Sequence, residues 1–209
     1  MTEWDSVTMA KSKHNVIQAP MGEKTVLLHT CCAPCSSAII EAMLQNGITP
    51  VIYYCNPNIY PHEEYEIRKN ECTRYARSLG LEIVDADYDH EGWLEQVKGL
   101  ENEPERGGRC LKCFKLRLLS TARYARKRGI KVITTTLASS RWKSLDQINE
   151  AGLWAVGVEN IPPDDRQVIW WDQNWRKNGL QERRLQIIKE YDFYNQLYCG
   201  CEFSMRKDV

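Results

Sequence analysis

Three cysteines within five residues constrain the fold of this chain more than any other feature. Cys31, Cys32 and Cys35 stand in the run Thr-Cys-Cys-Ala-Pro-Cys-Ser. The apolar residues 26–28 before them predict a buried parallel strand, and the pattern of residues 37–44 predicts an amphipathic helix. Open α/β sheets bind ligands at such strand-to-helix turns. Backbone N–H groups and the helix dipole favour thiolates there, so the sequence predicts a thiol-based site.

Adjacent cysteines are suited to metal binding rather than to a mutual disulfide. A bond between Cys31 and Cys32 would be strained, whereas both thiolates can be ligands of one metal cluster. The alternative is that they are core cysteines, which pack as small hydrophobic residues.

The composition excludes several classes of protein. The chain has 209 residues, of which 43% are hydrophobic and 27% charged, enough for one large domain or slightly more. No apolar run is long enough to span a membrane, and residues 1–22 do not read as a signal peptide. Nine cysteines in such a chain indicate a reducing cytoplasm and metal or redox chemistry rather than structural disulfides. The zero net charge argues against non-specific coating of nucleic acid but permits a local basic patch.

The order of predicted elements indicates an α/β fold. Strands at 25–30, 51–54 and 81–84 alternate with helices at 36–45 and 61–78, which predicts an open, mostly parallel sheet with helices on both faces. We expect further helices at 90–100, from Cys113 to about Gly129, and at 142–154, with a strand at 131–136. A helix at 181–190 is the expected C-terminal helical extension. Residues 1–22 are predicted to be a flexible N-terminal arm and residues 23–209 a single α/β domain.

A second pair of cysteines, Cys110 and Cys113, forms a CxxC motif at a predicted helix start. This spacing fits zinc, an iron–sulfur cluster or a redox dithiol. Together with Cys31 and Cys32 it supplies four thiolates, enough for one cluster. Zinc is the main competitor, but zinc sites commonly use spaced rather than adjacent cysteines, which favours iron–sulfur.

A third pair, Cys199 and Cys201, is separated by Gly200. A disulfide across one residue closes a small, strained ring, and strained disulfides are labile and redox-active. We favour an electron relay, with two further metal ligands as the alternative. Cys35 could be a ligand, a spare thiol or the start of the helix, and Cys55 and Cys72 are expected to be packed thiols.

Five segments of the sequence resemble one family. They are His-Thr-Cys-Cys-Ala-Pro-Cys-Ser at 29–36, Tyr-Cys-Asn-Pro-Asn-Ile at 54–59, the stretch 101–114 around the CxxC motif, Thr-Thr-Thr-Leu at 134–137, and Tyr-Cys-Gly-Cys-Glu-Phe-Ser at 198–204. In these segments the chain is similar to the cobalamin-independent epoxyqueuosine reductases, the QueH family. The resemblance runs from about Val26 to Ser204, most of the chain. Cys55 departs from the pattern of many relatives and looks incidental.

The resemblance implies a fold like that of the adenine-nucleotide α-hydrolases (HUP, Rossmann-like), forming an iron–sulfur reductase domain. It implies reduction of epoxyqueuosine to queuosine at the wobble position of tRNA, the last step of queuosine biosynthesis, in the cytoplasm, with an electron donor and no membrane. The implied ligands of a 4Fe–4S cluster are Cys31, Cys32, Cys110 and Cys113. The implied redox-active pair is Cys199 and Cys201.

Several points stay open at this level. Four protein thiolates occupy every iron of a 4Fe–4S cluster and leave none open for the epoxide. Three alternatives follow: one ligand swings away, Cys35 helps to hold an additional iron, or the cluster only transfers electrons. Candidate proton donors are His29, Tyr54, Asp87 and Asp89. The competing function is a zinc-binding, non-catalytic module that interacts with tRNA or protein. An ATP-using enzyme on this fold is disfavoured, since no glycine-rich loop follows the first strand.

Contacts to tRNA are predicted at two places. One is a basic stripe, and the other is a pair of basic residues flanking Trp142, an aromatic residue on which a splayed base could stack. The alternative for the stripe is a solvated helix face. The stripe comprises Arg117, Arg123, Arg126, Lys127 and Arg128, and the flanking pair is Arg141 and Lys143.

Overall fold

The structure, a computed structural model, describes residues 16–161 and 164–205 and contains one parallel sheet. Its five strands are ordered β3-β2-β1-β4-β5. The strands are β1 (Thr25–Thr30), β2 (Thr49–Tyr54), β3 (Ile83–Asp85), β4 (Val132–Thr135) and β5 (Ile169–Trp170). The helices are α1 (Ala33–Gln45), α2 (His62–Ser78), α3 (His90–Val97), α4 (Gly108–Arg128), α5 (Leu145–Glu159) and α6 (Leu180–Glu190).

The strand order creates a crevice beside the central strand. The chain builds outward from β1 through β2 to β3, then crosses back to place β4 on the other side of β1. Leu27 pairs with Val51 of β2 on one side and with Ile133 of β4 on the other. Connections that leave β1 and β4 in opposite directions open a gap at their carboxyl ends, where ligands bind in such sheets. Cys31 is the first residue after β1 and therefore lies at this gap.

Helices cover both faces of the sheet, as the sequence predicts. Successive side chains of a strand point to opposite faces. Tyr53 of β2 hydrogen-bonds through its hydroxyl to Ser120 of α4 (2.9 Å), whereas the hydroxyl of Tyr54 donates to the carbonyl of Tyr65 in α2 (3.1 Å). Helix α1 contacts α2 and α6, and α4 contacts α3 and α5. This two-sided cover explains the unbroken apolar run in β1, since both faces of the strand are buried.

Several element boundaries differ from the prediction by a few residues, and one strand was not predicted. Helix α5 begins at Leu145, because the Ser144 hydroxyl accepts a hydrogen bond from the N–H of Gln147 and caps the helix there. Trp142 therefore lies in the loop before α5. Helix α1 begins at Ala33, with Cys32 as its N-cap residue. Strand β5 was missed because two residues are too few for a periodic pattern.

Part of the predicted N-terminal arm is built into the core. Residues 1–15 lie outside the described residues, but Ile17 and Ala19 are buried among the hydrophobic core residues. The tryptophans at 170, 171 and 175 are also buried. Within the described residues, no helix combines the length and the apolar character needed to cross a membrane.

A glycine in α5 sets how closely that helix approaches the sheet. A Cβ atom at Gly152 would lie 2.2 Å from Cδ2 of Trp170, so the indole ring of β5 packs directly on the helix backbone.

We expect Gly152→Ala to lower the free energy of unfolding by about 1–3 kcal/mol through overpacking, measured by urea denaturation. Gly157→Ala in the same helix is the control, because nothing lies within 4 Å of its Cβ position. It should raise stability by roughly 0.5–1 kcal/mol. Equal effects of the two substitutions would contradict the packing argument.

Candidate active site

Three thiols lie together at the carboxyl end of β1. The Sγ atoms of Cys31, Cys32 and Cys35 all lie within 4.8 Å of one another, and those of Cys31 and Cys32 are 3.8 Å apart. The extended backbone of Cys32 (φ −169°) ends the strand, and Pro34 starts the helix in its first turn, where its missing N–H costs no hydrogen bond. The local sequence alone thus places all three thiols at the N-terminus of α1. We call this group the three-thiol cluster.

The three thiols differ in their ionisation. Hydrogen bonds from Cys32 and then Cys35 hold the pKa of the Cys31 thiol well below its usual range. Burial raises the pKa of Cys32, and hydrogen bonding to Cys31 raises the pKa of Cys35 to about 12. The cluster therefore carries its first negative charge on Cys31, with the other two thiols as donors to it.

Residues from two distant segments complete the surroundings of the cluster. Thr136, directly after β4, accepts a hydrogen bond from the N–H of Cys31 (3.3 Å) and contacts its Sγ (3.5 Å). The Gln196 amide donates to Cys32 Sγ at 3.0 Å, while its Oε1 is buried without a hydrogen bond. Thr136 lies in the family segment 134–137, but no local pattern assigned it a role or indicated Gln196, because only the fold brings these residues to the end of β1.

The CxxC motif lies in the first turns of α4, as predicted. Cys110 Sγ accepts a hydrogen bond from the N–H of Arg106 (3.3 Å). Buried Arg109 shapes the preceding loop by donating to the carbonyls of residues 100, 101 and 103 at 3.1, 2.8 and 2.5 Å. Cys113 packs in a small apolar cluster with Trp93 and Cys201, and the buried indole N–H of Trp93 has no acceptor there other than the Cys113 sulfur.

Arg117, one turn after Cys113, lies between the two sets of thiols. The prediction that it belongs to a surface stripe is wrong, since its exposed fraction is 2%. Its guanidinium donates to the carbonyl of Cys55 (3.2 Å) and to Asn56 Oδ1. Burial raises the pKa of Cys113, and the charge of Arg117 opposes that shift. The same charge helps to lower the pKa of Cys31. One buried cation therefore acts electrostatically on a thiol of each set.

The Cys-Gly-Cys motif is held in place from two sides. Buried Arg68 of α2 donates to the carbonyls of Tyr198 (3.3 Å) and Cys199 (3.2 Å), and Glu64 orients it through an ion pair of 2.7 Å. Gly200 has a φ of +118°. A Cβ there would lie 2.9 Å from Ile59, so both backbone conformation and space require glycine.

The two cysteines of this motif differ in their surroundings. Cys199 Sγ accepts a hydrogen bond from Lys143 Nζ at 3.0 Å, and Cys201 is buried beside Cys113. Burial disfavours the charged form of Lys143, but the charge of Cys199 and their hydrogen bond outweigh it and raise the pKa of the amine. Burial raises the pKa of Cys201 to about 11. Both thiols are free, and they are one residue apart across a glycine that permits the turn.

The structure brings the predicted site residues together only in part. Cys31 and Cys32 form a compact group with Cys35, which the sequence left unassigned, and not with Cys110 and Cys113. The link between the two sets is electrostatic, through Arg117. Cys55 and Cys72 are buried core thiols, as expected.

Most of the predicted basic stripe lies far from these thiols. Arg123 pairs with Glu159 (3.7 Å) and Arg126 with Asp164 (2.7 Å) near the C-terminal end of α4, and Lys127 beside them is exposed. Arg126 lies thirteen residues beyond Cys113, the last residue of the CxxC motif, which is about 20 Å along the helix at 1.5 Å per residue. Lys143 points inward to Cys199, while Arg141 is exposed beside the ring of Trp142.

The predicted proton donors have structural roles or lie apart from the thiols. Burial, and then the charge of Arg117, lower the pKa of His29 to about 3. Both of its ring nitrogens are engaged, with Thr135 Oγ1 and the carbonyl of Cys55. Tyr54 is buried and donates to a backbone carbonyl, and Asp89 caps α3. Asp87 lines a shallow cleft beside β3.

Known proteins match this chain over most of its length. Residues 26–207 match the family model described as "Epoxyqueuosine reductase QueH". The chain is 48% identical to an epoxyqueuosine reductase QueH of Haemophilus influenzae over 190 residues, covering 91% of this chain and 75% of the relative. The protein of that name from Acinetobacter baylyi is 45% identical over 91% of this chain and 84% of its own length. The protein of that name from Thermotoga maritima is 33% identical over 87% of this chain and 90% of its own length. The chain belongs to the epoxyqueuosine reductase QueH family.

Proposed function

We propose that this chain reduces the epoxide of epoxyqueuosine to queuosine at the wobble position of tRNA, as the last step of queuosine biosynthesis. The observation that carries the proposal is the placement of Arg117. Its buried charge acts on a thiol of each of two cysteine sets at the ligand-binding end of the sheet, and no carboxylate pairs with it among the described residues. Such a cation is compensated by anionic sulfur.

We assign Cys31, Cys32, Cys110 and Cys113 as the residues that would hold a 4Fe–4S cluster. Cysteine thiolates are the usual ligands of such clusters, and when bound the cluster supplies single electrons and Lewis-acidic iron. The surroundings fit an anionic group rich in sulfur. Arg117 provides positive charge, and the Trp93 N–H is buried beside Cys113 without another acceptor.

Cys35 fits a role in holding an additional iron. Its Sγ lies within 4.8 Å of both neighbouring thiols. Two thiolates bound at about 2.3 Å to one tetrahedral ion lie roughly 3.8 Å apart, and the 3.8 Å between Cys31 and Cys32 matches the spacing for a single ion. As ligands of two different irons of a 4Fe–4S cluster, these two thiols would have to move apart. Zinc would accept the same spacing, which keeps the zinc-binding, non-catalytic module as the competing function. Metal analysis of the purified protein distinguishes the two.

Cys199 and Cys201 are proposed as the electron reserve of the reaction. Conversion of an epoxide to an alkene and water consumes two electrons and two protons. Oxidation of the two thiols to a disulfide releases the same number of each. Lys143 holds the Cys199 sulfur in place, and an external thiol or redox protein must then reduce the disulfide again.

The tRNA is proposed to approach the exposed side of this site. Arg141 lies next to Lys143 in sequence and is exposed, so it can contact a phosphate near the thiols. Arg123, Arg126 and Lys127 stay a prediction for tRNA binding. Because of their distance from the thiols, contacts there would involve a part of the tRNA away from the reacting nucleoside.

The first prediction of this proposal concerns metal content. Cys110→Ala and Cys31→Ala should each lose iron, sulfide and activity, because each removes a thiolate ligand. Iron and sulfide analysis after anaerobic purification measures the loss. Cys72→Ala is the control, since this buried thiol is not among the assigned ligands. Full iron in Cys110→Ala, or a colourless wild-type protein containing zinc, would contradict the assignment.

The second prediction separates electron reserve from ligand. The double variant Cys199→Ala/Cys201→Ala should keep its iron but stop turning over with a thiol or protein reductant. A low-potential artificial donor should restore part of the activity. Iron content and product formation are measured on the same preparation. If iron is lost in proportion to activity, the pair consists of ligands instead.

The third prediction concerns the backbone of the motif. Gly200→Ala should impair turnover with thiol reductants as strongly as loss of the pair, although both thiols remain. The added Cβ would meet Ile59 at 2.9 Å and Arg68 Nη1 at 3.0 Å, and the φ of +118° disfavours alanine. Gly129→Ala also has a positive φ (+69°) but lies at the far end of α4 in open space, and it serves as the control. Retention of full activity by Gly200→Ala would show that the motif tolerates another geometry.

A further inference from the structure

The loop between β4 and α5, residues 136–144, runs along the thiols of the site. Thr136 contacts Cys31, the Ser139 hydroxyl donates to the carbonyl of Cys35 (3.4 Å), and Lys143 donates to Cys199. One residue of the loop points the other way. The side chain of Trp142 is 63% exposed, although both of its sequence neighbours are charged and could have taken the exposed position.

The backbone that carries Trp142 is held firmly. Arg106 donates from Nε to the carbonyl of Trp142 and from Nη2 to that of Arg141, both at 2.9 Å. On the other side, Arg176 donates to the carbonyl of Lys143 (2.6 Å). Arg106 itself adopts a left-handed conformation (φ +68°), and its N–H bonds to Cys110 Sγ. A non-glycine residue in this conformation is unfavourable and persists where its surroundings require it. Trp142 is thus linked to Cys110 through one residue and to Cys199 through another.

The exposed ring has one occupied face. The guanidinium of Arg141 lies over Trp142 at 5.0 Å from the ring centroid. In the described part of the chain, no other aromatic or cationic side chain stacks on this ring. A fixed indole with a cation on one side suits a flat π-system on the other, with a phosphate near the cation.

We propose that Trp142 is the stacking platform for an anticodon-loop base next to the reacting nucleoside, with Arg141 as the contact for its phosphate. This rests on the proposed function and extends it to a specific nucleotide subsite. The chemistry favours RNA over a protein partner, because Arg106 and Arg141 make the surroundings of the ring cationic and neither forms an ion pair within the described residues. Lys143 joins this platform to the redox cysteine, so a base stacked on Trp142 positions the adjacent nucleoside toward the thiols.

The experiment uses the full chain and an anticodon stem–loop RNA that carries epoxyqueuosine. The Kd of the RNA is measured by fluorescence anisotropy at fixed salt, and the single-turnover rate is measured at saturating RNA. Trp142→Ala should raise the Kd about 5- to 150-fold, the range for loss of one base stack. The single-turnover rate at saturating RNA should fall by a smaller factor than the Kd rises, because the stack helps to position the adjacent nucleoside but takes no part in breaking the epoxide bond. Trp142→Phe, which keeps a stacking ring, should recover most of the affinity.

The matched control is Trp154→Ala. Trp154 is also an exposed tryptophan next to a cation (Lys115, 5.7 Å), but it lies on α5, in the face that carries Glu150 and Leu153. Its removal should leave the Kd unchanged. Arg141→Gln should flatten the dependence of log Kd on log salt by about 0.7, the value for one phosphate of a single strand.

The outcomes separate this inference from the proposed function. A wild-type protein that binds the RNA but forms no queuosine contradicts the proposed function, while the Kd values of the variants still decide the role of Trp142. If the wild type forms queuosine and the Trp142→Ala variant binds the RNA as tightly as the wild type does, only the inference about Trp142 is overturned. An effect of Trp142→Ala confined to the KM of the reducing protein would also overturn it, by assigning the ring to that partner. A wild type that does not bind the RNA would overturn both.

Discussion

The buried charge of Arg117 is the constraint on which the rest of the site depends. A guanidinium removed from water is unfavourable by several kcal/mol unless acceptors and opposite charge surround it. Here the acceptors are the Cys55 carbonyl and the Asn56 side chain, at the carboxyl end of β2. They supply hydrogen bonds but no charge. Opposite charge comes from the Cys31 thiolate, and Arg117 also opposes the rise in the pKa of Cys113, which ties the ionisation of both thiols to one residue.

The sheet topology explains how such distant residues meet. Because the strand order reverses beside β1, the ends of β1 and β4 border one crevice. The crossover helix α4 begins at this same edge and brings the CxxC motif with it. Its length then carries the basic residues of its last turns to the opposite edge, where they pair with Glu82, Glu159 and Asp164. One helix therefore separates thiol chemistry from surface charge.

The C-terminal segment, residues 196–201, contacts each of the thiol groups of the site. Gln196 reaches the three-thiol cluster, Cys199 reaches Lys143, and Cys201 packs against the apolar cluster of Trp93 and Cys113. Arg68 fixes the backbone of this segment from α2. The segment has little regular secondary structure of its own, so its conformation depends on these contacts with residues earlier in the chain. A pair of thiols held in this way can lie close to other thiols and still keep a defined turn at Gly200.

The sequence by itself determined the α/β class, the strand-to-helix position of the first thiols and the family, because these depend on local periodicity and on contiguous motifs. It also indicated Gly200, since a dithiol across one residue needs a flexible backbone. It could not assign Arg117, because an arginine one turn after Cys113 fits a solvated helix face and a buried site equally well by spacing. Only the tertiary structure decided that Lys143 and Gln196 donate hydrogen bonds to cysteine sulfurs. Their partners lie 56 and 164 residues away, and no local pattern records which side chain will face a thiol once the sheet has formed.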